Sequence, residues 1–221
     1  MKLYFCFKFK NMKNILTFFS VLSFSFAFCQ DLKVMSFNIR LNLESDLENA
    51  WPKRKAEALG LLEYYHPDFF GIQEALPEQI KDIKTVLQNY NFVGVGRDDG
   101  KEKGEFSAIF YDTLKLKIVK SGTFWLSETP EKPSKGWDAA LNRICTYAIF
   151  KDLKSKKEFL AMNIHFDHVG KTARVKSSEL ILKKAQELNP KNLPMVLTGD
   201  FNLTEDTEPI KILSQNLKDT F

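Results

Sequence analysis

At 221 residues the chain is long enough for one domain and a leader, and too short for several domains. Its formal net charge of +4 belongs to the leader: residues 1–30 hold four lysines and no acid, which leaves 28 basic against 28 acidic residues beyond them. That neutral balance excludes bulk electrostatics as an argument for nucleic-acid binding.

The leader reads as a signal peptide. Lys13, the apolar run from Ile15 to Phe28 and the Ala27-Phe28-Cys29 end form a charged start, a hydrophobic middle and a cleavage site. Met12 is then the true start, and residues 1–11 are an extension. The apolar run is shorter than the roughly 20 residues of a membrane span. Lipid attachment at Cys29 is the weaker reading, because bulky Phe28 stands where a small residue is wanted. The expected destination is therefore periplasmic or extracellular. Loss of the leader removes Cys6 and Cys29, so Cys145 alone remains. An intrachain disulfide and a zinc–thiolate site are both excluded.

Residues 32–40 read as a strand, with Met35, Phe37 and Ile39 on one face and Ser36 and Asn38 on the other. Trp51-Pro52 opens a helix with Pro in its first turn and an apolar stripe of Ala58, Leu61, Leu62 and Tyr65. His66-Pro67 ends it, and a strand runs over 68–73. Pro77 opens a second helix with Ile80, Ile83 and Leu87 inward. From Tyr90 to Phe150 short strands are expected at 106–111, 114–120 and 143–150, followed by a solvated turn over 151–157. A strand over 159–165, a helix over 172–188 and a strand over 195–201 complete the pass. Helix-linked strands mixed with β-meanders predict stacked sheets covered by helices.

Four of these apolar runs end in polar residues that could carry chemistry. Glu74 is a hard carboxylate suited to Mg²⁺, and Asn38 a neutral group able to complete or orient its shell. Glu74 could instead cap the Pro77 helix. Asp200 and Asn202, two apart, would share a strand face and could orient an attacking water and steady a phosphoryl oxygen. An Asx-turn at the strand end is the plainer alternative. His165 and His168 flank Asp167 after another strand, and an imidazole there could donate to a phosphate or act as an acid. Glu105 could pair with a histidine and hold it protonated, and Arg143 could grip phosphate. Phe124, Trp125 and Trp137 are core or cleft-lining aromatics.

The order Ser36-Phe37-Asn38, Ile72-Gln73-Glu74, Gly104-Glu105-Phe106-Ser107, Asn163-Ile164-His165-Phe166-Asp167-His168 and Gly199-Asp200-Phe201-Asn202 resembles the endonuclease/exonuclease/phosphatase superfamily. The resemblance implies an α/β fold, a four-layer αββα sandwich of two stacked mixed β-sheets flanked by helices. It also implies hydrolysis of a phosphoester by a metal-activated in-line water, with Mg²⁺ as cofactor and Mn²⁺ as a substitute. Under it Glu74 is the metal ligand, assisted by Asn38. Asp200 orients or activates the water, and Asn202 contacts the phosphate. His165 is partnered by Glu105, and Arg143 is a further phosphate contact.

One departure stands out. The family's terminal Ser-Asp-His has no match, since the chain reads Lys218-Asp219-Thr220-Phe221 and no histidine follows His168. The expectation is a 31–221 domain lacking its last strands, weak or inactive alone. The leading function is a secreted, Mg²⁺-dependent phosphodiesterase or nuclease-like hydrolase. A phosphomonoesterase on a small phosphorylated metabolite and a non-catalytic binding module are the alternatives. The expected partner is a phosphoester substrate (nucleic acid, lipid headgroup or small molecule), with no obligate protein partner evident and no transmembrane span.

Overall fold

A computed structural model describes residues 32–220; the leader proposed over 1–30 lies outside the described residues. Eight strands follow in chain order: β1 Val34–Asn38, β2 Phe69–Gln73, β3 Tyr90–Val93, β4 Ile109–Asp112, β5 Leu116–Trp125, β6 Ile144–Asp152, β7 Glu158–His165 and β8 Met195–Asp200. Among the described residues four α-helices are interspersed, α1 Trp51–Tyr65, α2 Pro77–Val86, α3 Lys171–Leu188 and α4 Glu208–Ser214, with a short 3-10 helix over Glu44–Asn49. The strands form two four-stranded mixed sheets, β1-β2-β4-β3 and β5-β6-β7-β8. In each, the parallel pair is the one nearest the shared edge: β1 with β2, and β7 with β8. The expected αββα sandwich is the observed fold.

Three apolar layers hold it together. Leu59, Leu62, Ile80 and Ile83 pack α1 and α2 onto Phe70, Ile72 and Phe110 of the first sheet. Ile181, Ala185 and Leu213 pack α3 and α4 onto Met162 and Ile164 of the second. Between the sheets Phe69, Phe150 and Phe159 cluster with ring centroids 5.5–5.9 Å apart. Each strand therefore shows one face to helices and the other to the opposite sheet, as the two-residue side-chain period requires. Among the described residues no helix is long and apolar enough to cross a membrane.

Several boundaries differ from the sequence reading. The strand expected at 106–111 starts only at Ile109, because Phe106 is spent on isolated bridges to Ala75 and Gly96. That expected over 114–120 runs on to Trp125, paired throughout with β6 apart from one bulge near Val119. On α1 the buried side chains are Trp51, Leu59 and Leu62, whereas Leu61 and Tyr65 face out at 41% and 53% exposure. The stripe is rotated because Trp51 anchors the helix start, its indole Nε1 donating to Asp82 at 2.8 Å. The short helix α4 was not anticipated.

Pro67 carries the chain from α1 into β2, and its carbonyl accepts the Tyr90 hydroxyl at 2.6 Å. Burial pushes the Tyr90 hydroxyl pKa up to about 12, so it stays a donor. Tyr90→Phe removes that donor and leaves a buried carbonyl unpaired. The expected loss is about 1–2 kcal/mol in urea unfolding; a variant as stable as the parent would refute the assignment.

Candidate functional site

The face between the sheets changes character along the strands. At one end it is apolar: Phe69, Phe159, Ala161 and Val196. One strand repeat on it becomes polar and neutral, with Asn163 and Thr198 buried and Ser36 beside Gln73. At the strand ends it is ionisable, and Glu74, His165 and Asp200 bring their ligand-type atoms within 4.8 Å of one another. Parallel pairing puts the C-terminal ends of β1 and β2, and of β7 and β8, at the same rim, which is why Asn38 and Asp200, 162 positions apart, meet there.

Asn38 sits at the centre. Its Nδ2 donates to Glu74 Oε1 and to Asp200 Oδ2, both at 2.8 Å, while its Oδ1 accepts the Arg40 N–H at 2.9 Å. Glu74 follows the end of β2 with a φ of 65°. That left-handed turn, uncommon for a residue with a side chain, swings its carboxylate to the inner face. The second oxygen, Oε2, accepts the Leu41 N–H at 3.0 Å. The chain after β1 is itself clamped by Arg54, whose guanidinium donates to the carbonyls of Ile39, Arg40 and Asn49. A cleft of about 470 Å³ opens beside these groups, lined by Ser36, Asn38, Gln73, Asp200 and Asn202.

Asp200 and Asn202 do not share a strand face. β8 ends at Asp200, and Asn202 lies in a left-handed turn (φ 50°) with its backbone N–H on Asp200 Oδ1 at 2.9 Å. The Asx-turn alternative is the observed geometry, and it still delivers Asn202 to the site. Asn202 Nδ2 donates to the Phe166 carbonyl at 3.0 Å and approaches His165 Nε2 at 3.1 Å. The carbonyl demands the amide nitrogen on that side, so His165 Nε2 is an acceptor and its proton sits on Nδ1. Nδ1 faces Glu105 Oε2 at 3.8 Å.

The histidine is not held protonated, as the sequence reading expected. Burial, joined by the Arg143 guanidinium, pushes its pKa down to about 4. Glu105 is committed elsewhere, accepting Arg97 Nη1 at 2.7 Å. Burial lifts the Glu105 carboxyl above its ordinary value against the pull of Arg97 and Arg143.

Arg143 is buried beside these groups rather than bonded to them. Its Nε meets Asp167 Oδ2 at 3.3 Å, and Nη2 meets His168 Nδ1 at 3.1 Å. Its Nη1, like Nε of Arg97, has no hydrogen-bond partner among the described residues. Asp167 also accepts the backbone N–H groups of Ala140, Leu141, Val169 and Gly170 at 2.8–3.3 Å. One carboxylate thereby ties the 138–143 segment to the end of β7.

The fold thus joins Asn38, Glu74, Asp200, Asn202, His165 and Glu105 in one chain of contacts, with Arg143 alongside. His168 is exposed and turned to Arg143. Phe124 and Trp125 are buried at 6% and 5% exposure, and the Trp125 indole is spent on the Arg97 carbonyl at 2.7 Å, so both are core. The sequence reading did not single out Arg97, which only its position in the glycine-rich stretch 94–104 could have signalled. Asn163 and Gln73 stood inside recognised motifs but were given no role.

Three comparisons bear on this arrangement. A structure of an endonuclease/exonuclease/phosphatase family protein from Bacteroides thetaiotaomicron is 48% identical with a TM-score of 0.82, covering 83% of this chain and 68% of that one. A mannosyl-6-phosphatase from the same organism is 47% identical with a TM-score of 0.81, covering 84% of this chain and 70% of that one. The uncharacterized protein L388 of Acanthamoeba polyphaga mimivirus is 29% identical over 200 residues, 85% of this chain and 71% of that protein. The model of the Endonuclease/Exonuclease/phosphatase family matches residues 35–220, a span that takes in every strand but the first residue of β1 and all of the contacts above, and the chain belongs to that family.

Proposed function

We propose that this chain is a metal-dependent phosphoester hydrolase whose preferred substrate is a phosphomonoester on a small molecule such as a sugar. The observation that carries the metal is the meeting of two carboxylates, Glu74 and Asp200, on one neutral amide nitrogen of Asn38. Two like charges this close favour a cation between them. Their donor set is hard oxygen, which suits Mg²⁺ or Mn²⁺. Glu74 and Asp200 would hold the ion. Asn38, its oxygen already taken by Arg40, would orient them. When bound, the ion supplies charge neutralisation at the phosphoryl oxygens and a more acidic water.

The chain's own residues do the rest. Asp200, with one oxygen on the Asn202 N–H and the other on Asn38, is fixed in direction and can align a water for in-line attack. Neutral His165 keeps its Nδ1 proton toward Glu105. Arg97 and Arg143, each with an unused N–H in a dry setting, are suited to the extra charge of a monoester dianion.

The sequence reading put a diesterase first. The mannosyl-6-phosphatase among the solved neighbours, with the neutral charge of residues 31–221, favours the monoester. With Mg²⁺ present, the expected result is faster hydrolysis of a mono-aryl than of a bis-aryl phosphate, and loss of turnover on adding a chelator. The reverse preference would restore the diesterase reading. Thermal stabilisation by Mg²⁺ with no turnover of either ester would favour the binding module.

A further inference from the structure

The two carboxylates proposed to hold the metal come from different layers: Glu74 from the first sheet and Asp200, with His165 beside it, from the second. Apolar packing between sheets is non-directional and does not by itself set their relative position to a few tenths of an ångström. Directional bonds can.

Asn163 supplies them. It lies on β7 facing the first sheet and is fully buried. Its Nδ2 donates to the carbonyls of Ile72 at 2.8 Å and Ala108 at 3.0 Å, both on the first sheet's side. Its Oδ1 accepts Gln73 Nε2 at 2.7 Å and Thr198 Oγ1 at 3.0 Å. An amide has two donor hydrogens and two acceptor sites, and here all four are used. The path is open only because residue 71 is glycine: a Cβ there would lie 2.3 Å from Asn163 Oδ1 and 2.4 Å from Thr198 Oγ1.

The register gives this knot its meaning. Asn163 and Thr198 stand two residues before His165 and Asp200 and pair with each other as His165 pairs with Asp200, while on β2 Asn163 meets the Ile72 carbonyl and the Gln73 side chain just before Glu74. A two-residue step along a strand is one side-chain repeat, roughly 7 Å. The knot therefore sits one repeat beneath His165 and Asp200, and through Gln73 it abuts the turn that carries Glu74.

We infer that Asn163 is the positioning residue of this site, acting through the Gly71 opening to hold Glu74 at a set distance from Asp200. The inference rests on the metal reading above. A buried, satisfied asparagine could also serve stability alone, so the test separates the two roles. Mn²⁺ affinity is measured by titration calorimetry on the unaltered chain and on Asn163→Leu, Thr198→Val and Phe159→Leu, with urea unfolding of each. Phe159 packs in the same interlayer against Phe69 and Phe150, four residues before Asn163 on β7.

Residues supporting metal ligands typically alter affinity by about 10–100-fold. Asn163→Leu should fall in that range and Thr198→Val lose about threefold to tenfold, while Phe159→Leu loses stability and keeps its affinity. Thr198→Val carries the test if Asn163→Leu does not fold. Unchanged affinity in the knot variants, or an equal loss in Phe159→Leu, overturns the inference and leaves the metal reading standing. No saturable Mn²⁺ binding by the unaltered chain overturns the metal reading and this inference with it.

Discussion

Glu74→Gln should abolish the thermal stabilisation that Mg²⁺ gives this chain. A ligand bound only by the folded state, present at about a hundred times its dissociation constant, adds about 2.7 kcal/mol. For a domain of this size that corresponds to a rise of roughly 5–10 °C in the unfolding midpoint. The variant keeps the shape of the side chain and the acceptor for Asn38. It removes one of the two negative charges that meet at Asn38, and it sets an amide where Oε2 receives the Leu41 N–H. Differential scanning fluorimetry with and without Mg²⁺ reads the outcome. A rise in the variant equal to that of the parent would remove Glu74 from the ion's surroundings.

Asp167→Ala should cost about 3–5 kcal/mol in urea unfolding, among the larger losses open to a single substitution here. The substitution strands the buried Arg143 guanidinium and four backbone N–H groups at once. Burial pushes the Asp167 carboxyl up, but the N–H groups of Gly170, Ala140, Val169 and Leu141 outweigh it and hold the acid well below the usual carboxylate range. A depressed folded pKa means the contribution is complete above the ordinary value of about 3.9 and fades as the pH falls below it. The gap between parent and variant should therefore be full at pH 7 and shrink below about pH 4. Replacing both partners, Asp167→Leu with Arg143→Met, should recover much of the loss, because the pair's desolvation disappears with it. A gap at pH 7 under 1 kcal/mol would show the cluster to be dispensable.

Much of the site was legible because its elements are local. Asn38, Glu74, His165 and Asp200 each close an apolar run of strand length, and a two-residue period is visible without knowing any partner. Helix starts were legible for the same reason: Pro52 and Pro77 stand in first turns, and His66 ends α1 in a left-handed turn before Pro67. Asn202 was expected on a strand face beside Asp200. Local spacing alone could not tell that β8 stops at Asp200, whereas the turn bond from the Asn202 N–H to Asp200 shows it.

What depended on partners was not legible. The sequence offered Glu105 as the base that holds His165 protonated. The fold instead hands Glu105 to Arg97, eight residues earlier, and buries the imidazole beside Arg143, which reverses the sign of its pKa shift. Asp167 was visible only as a neighbour of His165, yet four N–H groups and a guanidinium converge on it.

By itself, then, the sequence determined the strand ends, their polar residues and the alternation that turns Asn38, His165 and Asp200 to one side, since these follow from backbone geometry within a few residues, whereas Glu74 reaches that side by a left-handed turn. Only the tertiary structure decided how the two sheets stack, and with it the crossing of Asn163 past Gly71, the sharing of Asn38 between Glu74 and Asp200, and the charge state of His165. Those depend on the register between layers, a sum of contacts among residues tens to hundreds of positions apart that no local pattern encodes.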